Sequence, residues 1–307
     1  MPTDLDAPQV RVPLDRLPRT RVAPTDTLPA SDRVQTGTRA LLVAFVVFTL
    51  LAVNQLLVLG DHTDRFFAWP IASRPASAFL GAAYAAGTLL SVLALREARW
   101  SHVRVPVLTV TAFTVLTLVP TLLHRHRLNL MEQGMARVAA VVWIVVYLAV
   151  PLAGALVVLR QRRAARLNST AIRRPMPAPL VGALLGQGAA LVAIGAVLYA
   201  WGFRSHMTVA VPQPGWPWPI TPLTSQVIGA WLLSFGVAIG LAVRERDLSR
   251  MLVSAVAYAA FGIVEVAVLL YHRGAPGADP LWLWVDVALF ATLVAVGIWG
   301  ACAARGA

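Results

Sequence analysis

The chain of 307 residues contains no lysine and only one cysteine, Cys302. A single cysteine excludes an intramolecular disulfide, a thiol relay and a metal cluster held by several cysteines. The sequence also lacks a Gly-rich phosphate loop, a Gly-x-Ser-x-Gly nucleophile motif and a His-Glu-x-x-His zinc motif. These absences argue against an ATP-driven pump that acts alone. We expect no cofactor and no resident metal; the sequence favours a protein without catalytic activity but leaves an enzyme open as an alternative.

Charged residues are scarce, at 13%, whereas 58% of the residues are hydrophobic and the mean hydropathy is +0.70. A soluble domain of this length could not bury so much apolar surface, so the composition predicts a membrane protein. The net charge of +12 comes from 26 arginines that lie between apolar runs. We interpret them as topology determinants beside anionic lipid headgroups on the cytoplasmic side, and we expect no nucleic-acid partner.

Eight apolar runs have about the length needed to cross a hydrocarbon core of about 30 Å. Continuous runs without two-residue alternation favour helices over barrel strands. The sequence therefore predicts an all-α, polytopic membrane helix bundle, in which the pairs Gly182-x-x-x-Gly186 and Gly236-x-x-x-Gly240 permit close helix contact. The predicted spans are 40–60, 76–95, 104–123, 138–159, 179–202, 222–243, 250–271 and 281–303.

Arginine is distributed unevenly between the two ends of these spans. Nineteen arginines fall on the side of the N-terminus and seven on the opposite side. The positive-inside rule then predicts that both termini are cytoplasmic. Because the exclusive use of arginine is typical of a GC-rich bacterial genome, the predicted location is a bacterial cytoplasmic membrane.

The sequence contains an internal repeat with a spacing of about 148 residues. Phe67-Ala68-Trp69-Pro70-Ile71 returns as Pro217-Trp218-Pro219-Ile220, Arg96-Glu97 as Arg244-Glu245, and His126-Arg127 as His272-Arg273. A duplicated membrane unit is the simplest explanation. Because each unit has an even number of spans, the two should be tandem parallel four-helix repeats with the same orientation.

The repeat divides the chain into five parts. The four-helix repeats occupy residues 39–160 and 179–303. Residues 1–38 are rich in Pro, Asp, Thr and Arg and are predicted to be a disordered cytoplasmic tail. A basic cytoplasmic linker, 161–178, joins the repeats, and 304–307 form the cytoplasmic C-terminus.

Four segments, 64–71, 79–84, 121–124 and 216–224, resemble an uncharacterised family of multi-span bacterial integral membrane proteins with repeated Trp-Pro-Ile loop motifs, common in actinobacteria. The similarity covers residues 40–303. It implies an architecture of about eight helices and carries no chemistry. Residues 73–77 depart from the pattern of the second half, so the contact made by that turn should differ between the halves.

The Trp-Pro-Ile element precedes the second span of each half on the predicted outer side. Tryptophan suits a membrane interface and proline suits a helix start, so one interpretation is an aromatic belt with a helix entry. The other is a lid, in which the two loops fold over a shared outer cavity. The lid candidates are Asp64, Arg65, Phe66, Phe67, Trp69, Trp216 and Trp218.

Two carboxylates lie within predicted spans, where ionisable groups are costly and are candidates for function. Glu265 and Asp286 should lie at similar depth near the outer surface. Three explanations remain: an ion pair with Arg273 or Arg127, a proton or cation site, and extension of Asp286 towards water.

Histidines cluster on the predicted outer side, where His126 and His272 are related by the repeat and His124 lies nearby. They are either interfacial side chains, or part of an anion or lipid-headgroup site with Arg125 and Arg127. Ligation of haem or a metal is a further alternative, which the neighbouring arginines oppose.

Three functional classes are therefore compatible with the sequence. The first is a protein that binds or transports a small molecule, an ion or a lipid through an outward-facing cavity between the repeats. The second is a non-catalytic accessory or structural subunit that acts through a membrane protein partner. The third is a membrane-embedded enzyme or haem protein.

Overall fold

The structure, a computed structural model, describes residues 32–165, 174–204 and 209–306. Over these residues the chain forms nine α-helices and one antiparallel two-stranded sheet. The helices are α1 Thr36–Val53, α2 Thr63–Phe66, α3 Arg74–Arg96, α4 Trp100–Leu123, α5 Met135–Ala165, α6 Ala178–Arg204, α7 Pro222–Glu245, α8 Leu252–Tyr271 and α9 Pro280–Arg305. The strands are β1 Val211–Gln213 and β2 Trp216–Ile220.

Eight of these helices are long and apolar enough to cross a membrane. The first span consists of α1 and the π-helical turn Asn54–Val58, and the short α2 is not a span. The prediction of an all-α polytopic membrane bundle is thus confirmed, and every predicted span begins within four residues of an observed one. The predicted tail up to residue 31 and linker residues 166–173 lie outside the described residues.

Side-chain caps set the starts of the second span in each half. The Ser73 hydroxyl accepts a hydrogen bond from the backbone N–H of Ala76, and the Thr221 hydroxyl accepts one from Thr224. The cap is therefore the same in both halves. The contact made by the turn differs, as the sequence predicted, because the Arg74 guanidinium donates to the carbonyl oxygens of residues 56 and 57 at 2.8 and 2.6 Å, whereas Pro222 follows the cap in the second half.

Each half is built from two tight helix pairs, and the two halves interlock through the remaining contacts. In the first half α1 packs on α3 and α4 on α5; in the second half α6 packs on α7 and α8 on α9. Between the halves α3 packs on α8 and α4 on α7. Each contact in or from the first half has an equivalent contact in or from the second half, as a tandem duplication requires. The duplication itself stays a prediction.

The connections at the N-terminal side of the bundle also correspond. The N–H of Val34 donates to the carbonyl oxygen of Ala98 at 3.0 Å, and the N–H of Met176 donates to that of Arg246 at 3.3 Å. Residues 32–35, assigned to the tail from sequence, are thus held against the loop between α3 and α4. Gln161, assigned to the linker, belongs to α5, is buried, and donates to the carbonyl oxygen of Arg33 at 2.7 Å.

We call the N-terminal side of the bundle the arginine-rich face; it is formed by residues 32–35, 97–99 and 246–251. Glu245 at the end of α7 forms ion pairs with Arg104 of α4 and, at 3.7 Å, with Arg250. Arg250 also pairs with Asp247 at 3.0 Å. This network joins the two halves.

We call the opposite side of the bundle the tryptophan-loop face; it is formed by residues 59–73, 124–134, 209–221 and 272–279.

Glycines allow close backbone approach within the helix pairs of the second half. A Cβ added to Gly229 in α7 would lie 2.7 Å from the carbonyl oxygen of Gly195 in α6, and one added to Gly297 in α9 would lie 2.7 Å from the amide nitrogen of Ala259 in α8. Of the glycines that the sequence indicated, Gly236 of α7 lies against α6, where an added Cβ would clash with the side chain of Val192. Gly182, Gly186 and Gly240 have no neighbouring atom of the described residues within 4 Å of such a Cβ, so for them the close-contact prediction is wrong.

Candidate functional site

The loop aromatics of the first half are buried between helices instead of facing lipid. Phe67 and Trp69 are each 1% exposed, and their rings lie 4.6 Å apart. Trp69 packs edge-on against Trp143 of α5 at 4.8 Å. Its indole N–H donates to the Thr224 hydroxyl at the start of α7, at 3.2 Å. The first-half loop therefore contacts the second half directly.

The second-half loop makes the reciprocal contact as the hairpin β1–β2. Gly215 takes a φ of +79° in its turn, a conformation that favours glycine. Trp216 packs edge-on against Phe79 of α3 at 4.6 Å, and Trp218 lies 6.5 Å from His272 at the end of α8. Both tryptophans are buried. The interpretation of these residues as a lipid-facing aromatic belt is wrong.

Phe67, Trp69, Trp216 and Trp218 thus form a buried aromatic layer at the tryptophan-loop face. Of the other lid candidates, Asp64 and Arg65 are exposed and pair with each other at 3.8 Å, and Phe66 is half-buried. The outward-facing cavity beneath these loops stays a prediction.

A cavity does lie between the halves, nearer the arginine-rich face. It has a volume of about 50 Å³, and α3, α4, α7 and α8 form its walls together with side chains from α1 and α6. Its aromatic lining includes a close stack of Phe113 on Trp231, with ring centroids 3.8 Å apart. Phe45, Phe235 and Tyr258 complete the aromatic wall. We call this space the central cavity.

Three polar groups in or next to the central cavity lack hydrogen-bond partners among the described residues. They are Nε1 of Trp231, the hydroxyl of Ser254, and Nε2 of Gln187, whose Oε1 accepts from Tyr258 at 3.1 Å. All three can donate a hydrogen bond. Because buried donors without partners are costly, the cavity is suited to a molecule that supplies acceptors.

A second cavity, of about 160 Å³, lies in the first half between α1, α3, α4 and α5. The Tyr84 and Tyr147 hydroxyl groups line it, 2.7 Å apart and hydrogen-bonded to each other. Exposed side chains on α1 and α5, such as Leu51 and Val142, form its lip. This lateral crevice therefore opens towards the bilayer, and Phe45 lines both it and the central cavity.

The carboxylates Glu265 and Asp286 are buried in the second half, at 0% and 2% exposure. The ion pair expected with Arg273 or Arg127 is not formed. Arg273 is exposed, and Arg127 donates to the ring of the exposed His126 at 3.1 Å. The burial of both side chains also rules out an extension of Asp286 to water.

The two histidines that end α4 and α8 are His124 and His272, so the structurally matched pair is His124 with His272 and not His126 with His272. His124 is buried and its Nε2 lies 2.9 Å from Oε1 of Gln226 in α7. Burial lowers the pKa of His124 despite that hydrogen bond, and His126 and Arg127 lower it further. Burial and Arg74 likewise lower the pKa of His272, against the opposing effect of Asp61.

The lowered pKa values of His124 and His272 predict that these two side chains make the fold less stable in mild acid. Because the pKa of each histidine is lower in the fold than the ordinary value of about 6.5, the unfolded chain takes up protons first. The stability that the two histidines contribute should be complete above that pH and fall as the pH drops below it. We expect acidification from pH 7.5 to pH 5.5 to be less favourable for the melting temperature of the wild-type protein than for that of a His124→Gln, His272→Gln double variant, because other titrating groups act equally in both. Replacement of the exposed His62 is the control; an identical pH dependence in the wild type and the double variant would contradict the assignment.

The geometry places this chain among multi-span helical membrane proteins with a cavity inside the bundle. Comparison with protein-family models, curated proteins and solved structures found no match. Across residues 32–165, 174–204 and 209–306, no group of three or more His, Cys, Asp or Glu side chains is placed to hold a metal ion.

Several residues of the central cavity were not identified from the sequence. Trp231, Phe113, Ser254 and Tyr258 lie inside uninterrupted apolar runs, where they look like ordinary lipid-facing or core positions. The one signal was Gln187, a polar side chain inside the fifth span.

Proposed function

We propose that the protein binds an uncharged, lipid-soluble small molecule in the central cavity between its two halves. Because this cavity of about 50 Å³ is by itself too small for such a molecule, the bound ligand also occupies the neighbouring lateral crevice of about 160 Å³. The observation that carries the proposal is the coincidence of an apolar, aromatic cavity with unpartnered donors on Trp231 and Ser254. An apolar body would be favoured by the aromatic walls, and one or more carbonyl or ether oxygens would accept from the free donors.

The charge of the ligand follows from the lining. Among the described residues that line the central cavity, none is Arg, Asp or Glu. A charged ligand would therefore be buried without a counter-ion, at a large cost in free energy. An uncharged ligand avoids this cost.

The lateral crevice offers a route for such a ligand from the bilayer. It opens between α1 and α5 and ends at Phe45, which also lines the central cavity. We infer that rotation of the Phe45 side chain connects the two spaces. A ligand that is dissolved in the membrane would then enter sideways, past the Tyr84–Tyr147 pair, without crossing an aqueous face.

The proposal includes the orientation of the protein in a bacterial cytoplasmic membrane, with the arginine-rich face and both termini in the cytoplasm. The excess of arginine on that side supports it. A cysteine introduced at the exposed Met131 of the tryptophan-loop face should react with a membrane-impermeant reagent added to intact cells, and one at Ala98 should not.

Binding of menadione, a planar uncharged ring with two carbonyl acceptors, tests the proposed function. In a Cys302→Ser background, which removes the only thiol, we expect saturable quenching of tryptophan fluorescence. Trp231→Phe keeps an aromatic ring and removes one donor, so affinity should fall about tenfold, as expected for a hydrogen bond worth about 1.4 kcal/mol.

Two matched variants separate binding in the cavity from partition into detergent. Ala238→Phe places a large side chain in the central cavity and should abolish saturable binding. Ala189→Phe makes the same change on an exposed part of α6 and should leave it intact. Equal affinity in the two variants would place the site elsewhere.

A further inference from the structure

Glu265 and Asp286 lie at the same level on facing helices. A Cβ added to Gly262 of α8 would be 2.7 Å from the carbonyl oxygen of Phe290 in α9, which fixes the register of this antiparallel pair. Glu265 is three residues beyond Gly262, and Asp286 is four residues before Phe290. In both helices this direction leads from the Gly262–Phe290 contact towards the tryptophan-loop face. The two buried carboxyl groups are therefore neighbours across the α8–α9 contact.

Neither carboxyl group has its hydrogen-bonding capacity satisfied. Both oxygens of Glu265 and Oδ2 of Asp286 lack a partner among the described residues. None of the arginines whose side chains the structure describes lies within ion-pair distance of either group, although these side chains and one histidine form six other ion pairs. The pair is thus fully buried, acidic and unpaired.

The neighbouring charged and titratable side chains are either distant from the carboxyl pair or bonded to other groups. On α8, His272 is seven residues further along, about 10 Å away at 1.5 Å per residue. On α9, Asp279 caps the helix by accepting from the N–H groups of Leu281 and Trp282. On α3, Arg74 donates to carbonyl oxygens and pairs with Asp61 at 3.3 Å.

Apolar groups separate the pair from water on both sides. Phe261 and Phe290 lie one turn deeper in the bundle, with their ring centroids 5.4 Å apart. Leu269 and Leu283, both buried, lie one turn closer to the tryptophan-loop face. Beyond these leucines the hairpin β1–β2 packs on α9 and covers this end of the bundle.

Two ionised carboxylates cannot remain side by side in such a place, because desolvation and mutual repulsion both oppose it. A cation or protons must neutralise them. Calcium and magnesium require six or more oxygen ligands, and this pair offers four. A proton requires only one carboxylate oxygen, and the resulting O–H can donate to the other carboxyl group.

We propose that Glu265 and Asp286 form a proton-binding site that the hairpin β1–β2 and the two leucines close off from the tryptophan-loop face. The site takes its protons from water and returns them to water, with no other reactant. Exchange requires that the hairpin lift from α9. This site is independent of the central cavity, which lies towards the opposite face.

Infrared spectroscopy at pH 7 of the protein purified in dodecyl maltoside, a detergent without ester carbonyl groups, tests the proposal directly. We expect the carbonyl-stretching band of a protonated carboxylic acid in the wild-type protein, reduced in Glu265→Gln and in Asp286→Asn. Glu132→Gln, at an exposed loop position, is the matched control and should leave the band unchanged. The band should also persist in Ala238→Phe, whatever that variant does to ligand binding.

The wild-type spectrum tests the proton-binding proposal even if the variants fail to fold. Absence of the acid band at pH 7 would overturn the proposal, as would a band of full intensity in both variants. Absence of the band together with a rise in melting temperature on addition of sodium or calcium chloride would assign the site to a metal cation instead. After transfer to D₂O, we expect the band to shift slowly, because the hairpin limits exchange.

Discussion

Gly297→Leu should abolish or severely reduce the yield of folded protein. A Cβ at this position would lie 2.7 Å from the amide nitrogen and 2.8 Å from the Cβ of Ala259. Backbone atoms cannot rotate out of the way, so α8 and α9 would have to separate. Overpacking of a well-packed core costs about 1–3 kcal/mol and occasionally more, and a backbone clash belongs at the upper end.

Gly186→Leu is the control for this prediction. Gly186 is exposed on α6 and has no described atom within 4 Å of an added Cβ. The variant should be recovered at the wild-type level by fluorescence-detected size-exclusion chromatography and should melt at nearly the same temperature. Similar recovery of Gly297→Leu would show that α8 and α9 are not in close contact.

Trp69→Ala should lower the melting temperature strongly. Trp69 is 1% exposed, contacts Phe67 and Trp143, and donates to Thr224 across the boundary between the halves. Truncation of a buried Phe or Trp to Ala costs about 3–5 kcal/mol. The loss should include separation of the tryptophan-loop ends of α5 and α7, since Trp69 contacts Trp143 of α5 and Thr224 of α7.

Trp284→Ala provides the comparison, because Trp284 on α9 is 57% exposed and faces outwards. Its removal should change the melting temperature little. If the two variants lost equal stability, the aromatic layer at the tryptophan-loop face would have no special structural role, and the belt interpretation would have to be reconsidered.

The positions of the spans could be predicted from the sequence because an apolar run of fixed length has only one stable arrangement in a bilayer. The starts of α7 and α9 were predicted within one residue, since Pro222 and Pro280 mark the first turn of each helix. The start of α1 was predicted four residues late. Residues 36–39 contain no large apolar side chain that would mark them as part of a span, and the residues before them are held by the hydrogen bond from Val34 to Ala98, which the sequence does not indicate.

The sites were harder to predict because side-chain direction depends on tertiary contacts. The sequence correctly indicated that Glu265 faces the bundle interior, since a carboxylate within an apolar run must avoid lipid. It could not indicate the missing partner, because Arg273 lies close in sequence but is exposed at the end of the bundle. Likewise, the Trp-Pro-Ile motif predicts a helix start but not whether the indole turns towards lipid or inwards.

The central cavity could not be predicted from the sequence, for a different reason. It exists because α3 and α4 of one half meet α7 and α8 of the other, and no local pattern records which helices of a bundle become neighbours. Trp231 and Ser254 are 23 residues apart on different helices. Only the packing of α7 near α8 brings both to one cavity.

Native mass spectrometry of the protein released from its own membrane tests the central claim, that the cavity between the halves holds an uncharged lipid-soluble molecule. We expect the wild-type protein and Ala189→Phe to carry the same non-covalently bound small molecule at about one copy per chain, and Ala238→Phe to lack it. A wild-type protein without any bound molecule, or a molecule retained equally by Ala238→Phe, would contradict the account.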